Sequence, residues 1–351
     1  MGRLKTKVIY EVRDINKIKN KLPYYRDLGV DTISIDLETD ISKTYLRELF
    51  ALKDFLLDEN FILMVRVDVA RIGGSLLGKK TDLDFYKDSQ VRRAFYAFIN
   101  FLVKRGIGGF DFKNIYGIAK DLDPYSFINM AREINKNARA LNKDLITIAY
   151  LRPDHLSYRK FIMAKGISDF TYLYTDKFDI NNIDPYLAYK EDTEALINQN
   201  YPYEYQSARV GAGFLLNGPI IIREGEEVGL RSGFASTFDL VQYMDRVSSF
   251  YKKIISLKKS NKIIERGRVL RIFKREEGIL AFTKTYKKDK ALVIINLSQK
   301  EVLLNTKMYL PAYDSYKFVL SNYDKRAMVD PLVIRAYEVV VFLETRVKFN
   351  N

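Results

Sequence analysis

Short apolar runs alternate with longer amphipathic segments over the first 260 residues. Runs rich in β-branched residues, such as Lys7–Val12 and Asp31–Leu37, have the length and composition of buried strands. Helix-length segments follow them, as in Ser89–Arg105, where Val91 and Phe95 recur on one face. The pattern predicts strands and helices in regular alternation.

Eight strands are predicted before residue 260. Eight strands separated by helices are typical of a (β/α)₈ TIM barrel. The competing architecture is a doubly wound sheet, which is disfavoured because no G-x-G-x-x-G motif follows the first strand. The predicted strands are Lys7–Val12, Asp31–Leu37, Phe61–Val69, Gly108–Lys113, Asp144–Tyr150, Asp169–Tyr174, Ala195–Asn198 and Pro219–Ile222.

The pattern changes after about Lys262, where short apolar runs are separated by turn residues and helix-length segments are missing. Such a pattern is typical of antiparallel β-structure. We therefore predict an α/β barrel over residues 1–262 and an all-β sandwich domain over residues 263–351. The predicted strands of this second domain are Val269–Phe273, Ile279–Lys284, Ala291–Asn296, Val302–Leu304, Ser315–Leu320 and Val339–Leu343.

The composition excludes several kinds of site. The 351 residues contain no cysteine and one histidine, His155, so disulfides, thiolate zinc sites and multi-histidine metal sites are impossible. We expect no cofactor and no metal. No apolar run is long enough for a membrane span. The Cys-free composition favours a cytoplasmic location.

The chain is basic, with 58 Lys and Arg against 44 Asp and Glu and a net charge of +14. Such a charge can attract polyanions. However, the basic residues are scattered, and pairs such as Lys252–Lys253 and Lys258–Lys259 are predicted to lie on solvated helix faces. No nucleic-acid-binding motif is present, so nucleic acid is not an expected partner.

Four stretches resemble one family in their order and spacing. They resemble glycoside hydrolase family 13, the α-amylase superfamily, at the start of strand two, around strand four, after strand eight and in the last barrel helix. This resemblance covers almost the whole chain and implies a barrel followed by a C-terminal β domain. The matching segments are Tyr24–Ile33, Asp82–Asp84 with Val91–Arg92 and Gly106–Phe110, Asn217–Pro219 with Gly225–Gly229, and Phe250–Lys258.

The family resemblance also implies a chemistry that this chain departs from. Retaining glycoside cleavage needs a carboxylate nucleophile and a carboxyl acid/base about 5–5.5 Å apart. At the implied positions, Lys113 replaces the nucleophile and Asp111 replaces the arginine beside it. Further family positions are also altered: Tyr150 (or Ala149) stands at the position of the acid, and Gln199 and Asn200 stand at the positions of a His-Asp pair. Arg66 stands at the position of the strand-three aspartate, although a shifted alignment of that strand would keep Asp68 there.

The segment after strand three is short, with about 18 residues between Val69 and Asp88. The small domain that the family usually inserts there, and its calcium site, are therefore expected to be absent. In a strand, residues two apart share a face, so Asp111 and Lys113 should both face the barrel mouth. If Arg66 takes the place of the family's strand-three aspartate, the family's Asp–Arg pair becomes an Arg66–Asp111 pair with the two charges exchanged. The alternative is that Asp111, Lys113 and Arg66 simply neutralise one another.

Three functions stay open. The first is an inactive pseudo-glycosidase with an interaction, scaffold or carbohydrate-sensing role, binding a saccharide in the barrel mouth or another protein. The second is an active glycoside hydrolase or transglycosidase with relocated carboxylates, or an enzyme using Lys113 as a Schiff base. The third is a polyanion-binding protein. The relocated carboxylates would come from Asp36, which could instead cap the next helix, or from Glu38, Asp68, Asp111, Asp169, Glu224 and Glu226.

Overall fold

The computed structural model describes residues 7–13, 15–38, 41–69, 72, 76, 89–113, 129, 132–133, 136–151, 170–175, 188–191, 202–229 and 237–344. The chain divides into two compact units. The first unit comprises residues 7–26 and 30–174, and the second unit comprises residues 1–6, 27–29 and 175–351. The predicted domain boundary at residue 262 stays a prediction.

Six parallel strands form the sheet of the first unit, and each strand pairs with the next in the sequence. A doubly wound sheet reverses its strand order part of the way across. The sequential order of these six strands therefore fits a barrel and not that alternative. The strands are β1 Val8–Val12, β2 Thr32–Asp36, β3 Ile62–Asp68, β4 Gly109–Lys113, β5 Ile146–Leu151 and β6 Phe170–Thr175.

The helices of the first unit bury one apolar face each. In the third helix, Val91, Phe95 and Leu102 are buried at helical spacing. The second helix begins after Ser42, whose Oγ accepts a hydrogen bond from Tyr45 N at 3.0 Å. Ser42 therefore caps this helix, and the expectation that Asp36 could do so is wrong. The helices are α1 Ile18–Leu28, preceded by a 3₁₀ turn at Ile15–Lys17, α2 Lys43–Asp58 and α3 Ser89–Lys104.

The second unit begins with the last elements of the alternating pattern. Its first strand, Ala188–Glu191, lies upstream of the predicted strand Ala195–Asn198, which falls outside the described residues. The elements are β7 Ala188–Glu191, α4 Tyr203–Leu215, β8 Ile220–Arg223, a 3₁₀ turn at Glu226–Val228, α5 Thr237–Ser260 and α6 Lys262–Arg266.

The rest of the second unit is antiparallel β-structure, as predicted. Five strands form a sheet in the order β13-β15-β11-β10-β9, and β12 pairs with β14 in a smaller sheet. Alternate residues such as Ala281, Leu292 and Phe342 fill a common core. The elements are β9 Arg268–Ile272, β10 Ile279–Tyr286, β11 Asp289–Asn296, β12 Val302–Leu304, α7 Thr306–Tyr309, β13 Tyr316–Ser321, β14 Leu332–Ile334 and β15 Val339–Glu344.

Two lysines of the second unit are buried against the end of α4. Lys258 is 1% exposed and donates to the carbonyls of Phe214 (2.7 Å) and Leu216 (3.2 Å). Lys284 is fully buried and donates to Leu215 O at 3.1 Å. A cation is favourable at a helix C-terminus, where carbonyls lack partners. The prediction that Lys258 lies on a solvated face is therefore wrong.

Among the helices of the described residues, none combines the length and the apolar character that crossing a membrane requires.

Candidate functional site

A row of charged residues crosses the carboxyl-terminal ends of neighbouring strands in the first unit. Asp36 of β2 is paired in register with Arg66 of β3, and Arg66 is paired with Asp111 of β4. One row further on, Asp68 is paired with Lys113. Residues in register on parallel strands share a face of the sheet. The barrel architecture predicts a ligand site at this end of the strands.

The Arg66 guanidinium is the centre of the row and is buried. It donates to both carboxylate oxygens of Asp36, at 3.1 Å from Nε and 2.8 Å from Nη2. Nη2 also donates to Val12 O at 3.3 Å, and Nη1 lies 3.7 Å from Glu11 Oε2. Burial lowers the pKa of Arg66, but the charges of Glu11, Asp36 and Asp111 outweigh it and raise that pKa.

Asp36 accepts from a second cation, the ammonium of Lys113. Partial burial raises the pKa of Asp36, but the hydrogen bonds and charges of Arg66 and Lys113 lower it below its ordinary value of 3.8. Asp36 is therefore an ionised carboxylate at neutral pH. Because the side chains of Asp36 and Lys113 are 59% and 39% exposed, this ion pair forms the solvent-facing surface of the row.

The predicted pairing of Arg66 with Asp111 describes part of this geometry. Asp111 is 2% exposed and lies beside Arg66 in the register. However, the bidentate partner of Arg66 is Asp36, and Glu11 adds a further buried carboxylate. The charges therefore compensate one another over five residues instead of three. We call Glu11, Asp36, Arg66, Asp111 and Lys113 the charged cluster.

For the other predicted site residues, the described part of the chain gives either the backbone position alone or nothing. Tyr150 lies in β5, in register with Tyr172 of β6, and its side chain is outside the described part of the chain. Gln199 and Asn200 lie beyond the end of β7 at Glu191, outside the described residues. Their family roles therefore stay predictions. His155 and Asp169 are also outside the described residues.

The loop after β8 uses its carboxylates for structure. Glu226 accepts from the Tyr251 hydroxyl at 2.7 Å and from Arg223 N at 3.1 Å, and Glu227 accepts from Gly225 N at 3.1 Å. Both glutamates are buried. Burial and then the Glu226 charge raise the pKa of Tyr251 well above its ordinary value. These contacts support the interpretation of Glu226 as part of a loop motif.

The sequence does not indicate that Glu11 and Asp36 both lie against the Arg66 guanidinium. Asp36 was a candidate because it ends a strand, but its partners depend on the register between strands, which the sequence does not give. Glu11 was overlooked although a charged residue inside the strand Lys7–Val12 is a signal, because a buried charge needs a partner. Within the described residues, no group of three or more His, Asp or Glu is arranged to hold a metal ion.

Comparison with solved structures identifies the fold. Amy13B of Eubacterium rectale superposes with a TM-score of 0.74 at 14% identity, over 98% of this chain and 96% of that one. Trehalulose synthase of Pseudomonas mesoacidophila gives 0.73 at 12% identity over 98% and 99%. Trehalose-6-phosphate hydrolase of Bacillus licheniformis gives 0.66 at 14% identity over 97% and 99%.

Sequence comparison is more limited. Oligo-1,6-glucosidase of Bacillus cereus is 30% identical over 103 residues, which are 29% of this chain and 18% of that enzyme. No family model matches the chain.

The fold is thus a (β/α)₈ TIM barrel followed by a C-terminal all-β domain, as predicted. The chain has the fold of the α-amylase superfamily, which confirms the resemblance stated from the sequence motifs.

Proposed function

We propose that this protein is a catalytically inactive member of the α-amylase superfamily that binds a saccharide at the ends of its parallel strands. The observation that carries the proposal is the ion pair of Asp36 with Arg66 and Lys113. Lys113 occupies the position at which the family resemblance implies the carboxylate nucleophile. The charged cluster therefore stands in place of the catalytic groups.

The charges of the cluster do not suit the acid/base step of glycoside cleavage or Schiff-base chemistry. The acid/base carboxyl of a retaining glycosidase must be protonated at working pH, which requires a raised pKa. The pKa of Asp36 is lowered instead. The Lys113 ammonium is engaged in an ion pair with the Asp36 carboxylate, whereas Schiff-base chemistry needs a lysine nitrogen that is free to attack a carbonyl.

The same groups suit sugar binding. A carboxylate and an ammonium side by side accept from and donate to neighbouring hydroxyls of one sugar ring. The similar proteins include an oligo-1,6-glucosidase and a trehalulose synthase, names that indicate saccharides as ligands. Binding without turnover fits a carbohydrate-sensing or scaffold role, and the Cys-free composition favours a cytoplasmic location for it.

The test is calorimetric titration of the protein with maltotriose, sucrose and trehalose. We expect binding of at least one sugar, and Lys113→Met should weaken it about tenfold, or ~1.4 kcal/mol. Lys143→Met is the matched control, because Lys143 is exposed at the other end of β5 in the first unit. Absence of binding, or equal affinities for the two variants, would contradict the proposed site.

The alternative is an active glycoside hydrolase with relocated carboxylates. Asp36 and Asp68 lie at strand ends, where such groups would have to be. Turnover abolished by Asp36→Asn and retained by Lys143→Met would favour this alternative over the proposal.

A further inference from the structure

A groove in the second unit runs between helix α5 and strand β13 with the residues that follow it. It is open to solvent and has a volume of about 830 Å³. Both walls belong to the same compact unit. Small-molecule sites commonly have volumes of ~300–1,000 Å³, so the groove has the size of a ligand site. None of its lining residues belongs to the charged cluster.

The helix wall presents polar groups on one face. Lys253, Ser256 and Ser260 follow one another at spacings of three and four residues and are exposed. Leu257 lies between them and is half-buried. The helix therefore offers an ammonium and two hydroxyls above an apolar floor.

The opposite wall is an edge strand. β13 is one of the two edge strands of the five-stranded sheet, and its pairing with β15 is irregular between Phe318 and Leu320. Phe318 is half-buried and adds to the apolar floor. Lys325, exposed beyond the end of β13, adds a second ammonium.

The two ammonium groups are available to a ligand. Lys252, the third lysine of the groove, is paired with Asp27 at 2.5 Å. Within the described residues, Lys253 and Lys325 have no ion-pair partner among the contacts of the structure. Among the described residues that line the groove, Asp324 is the one carboxylate. The available positive charge therefore exceeds the negative charge.

We propose that this groove binds an organic phosphate, that is, a phosphorylated sugar or a nucleotide. Lys253 and Lys325 would hold the phosphate as point charges. The serine hydroxyls would bind ligand hydroxyls, and the carbon skeleton would pack on Leu257 and Phe318. A long polyanion such as RNA is less suited, because the apolar floor offers nothing to a continuous row of phosphates.

The test uses two matched ligand pairs, which are AMP with adenosine and glucose 6-phosphate with glucose. Each is titrated into the full chain, into Lys253→Gln/Lys325→Gln and into the control Lys274→Gln/Lys300→Gln. The control removes the same charge from exposed lysines outside the groove. We expect a phosphate member to bind, its affinity to fall about tenfold in the groove variant and to change less than about twofold in the control.

Four results would overturn the proposal. Equal losses of affinity in the two double variants would mean that only the net charge of the protein matters. Equal affinities for the phosphorylated and the unphosphorylated member of a pair would mean that the lysines do not bind the phosphate. If neither AMP nor glucose 6-phosphate bound, the groove would not be a site for organic phosphates. A single-stranded RNA that binds the groove more tightly than AMP would replace the small ligand by a polyanion.

Discussion

Replacement of Arg66 by methionine tests the charged cluster most severely, because Arg66 is its centre. The side chain is 6% exposed, and its guanidinium lies against the carboxylates of Asp36 and Glu11, with Asp111 beside it. Methionine has a similar length and fills the space with apolar atoms. The variant therefore removes the charge while it preserves most of the packing.

The expected loss follows from the burial of the carboxylates. Removing one partner of a buried ion pair costs about 3–5 kcal/mol, because the other charge stays buried. Glu11 and Asp111 are 6% and 2% exposed, so they fall in this class. The contact with Asp36, which is 59% exposed, adds only ~0–1 kcal/mol. We expect Arg66→Met to lower the free energy of unfolding by about 3–5 kcal/mol at pH 7.

The loss should shrink in acid. Without the guanidinium, we expect burial to favour the protonated forms of Glu11 and Asp111 in the folded variant. The folded variant then binds more protons than the unfolded chain, so its stability rises as the pH falls. In the wild type we expect no such gain from Asp36 between pH 7 and 5, because its pKa is lowered and its carboxylate stays ionised.

Urea unfolding followed by circular dichroism at pH 7 and pH 5 measures both effects. Arg47→Met is the control, because Arg47 is exposed on α2 and its loss should change stability by under ~0.5 kcal/mol. A cost for Arg66→Met below about 1 kcal/mol, or a cost that does not vary with pH, would mean that Arg66 does not compensate the buried charges of Glu11 and Asp111.

Three further variants have defined outcomes. The pKa of Asp36 is lowered in the folded protein, so Asp36 contributes stability that is present above pH 3.8 and is lost as the pH falls through the folded-state pKa. Asp36→Asn should remove this contribution, so that the urea midpoints of the variant fall less than those of the wild type between pH 7 and 3. The pKa of Tyr251 is raised in the folded protein, so wild-type stability falls as the pH rises above 10. Tyr251→Phe should show a smaller fall in stability above pH 10. At pH 7 the same variant should lose about 1–2 kcal/mol, because the hydrogen bond to Glu226 is gone. A Cβ at Gly109 would meet Ile146 O at 3.0 Å, so Gly109→Ala should lower stability by about 1–3 kcal/mol in thermal unfolding.

Much of the fold could be predicted from local pattern. The observed β1, Val8–Val12, differs by one residue from its prediction, and β8, Ile220–Arg223, is shifted by one. β-branched runs bounded by polar residues are the signal in both cases. The short strands β7, Ala188–Glu191, and β14, Leu332–Ile334, were not predicted. Four or three residues are too few to show a periodicity.

The candidate site could be predicted only in part. The sequence indicated Arg66, Asp111 and Lys113 as altered positions, because motifs place residues along a strand. It did not indicate that Asp36 holds both cations, since that contact joins residues 30 and 77 positions apart. Cross-strand contacts depend on the register and on the rotamers of long side chains.

Turnover by the purified protein decides whether the charged cluster is catalytic. Maltooligosaccharides, sucrose, trehalose and an aryl α-glucoside are incubated at high protein concentration with the wild type, Asp36→Asn and Asp111→Asn. We expect no hydrolysis or transglycosylation above the buffer rate in a folded wild-type protein, because Lys113 stands where the family resemblance implies the nucleophile and the lowered pKa of Asp36 does not suit an acid. Wild-type turnover that either substitution abolishes would contradict this expectation and would make the charged cluster an active site.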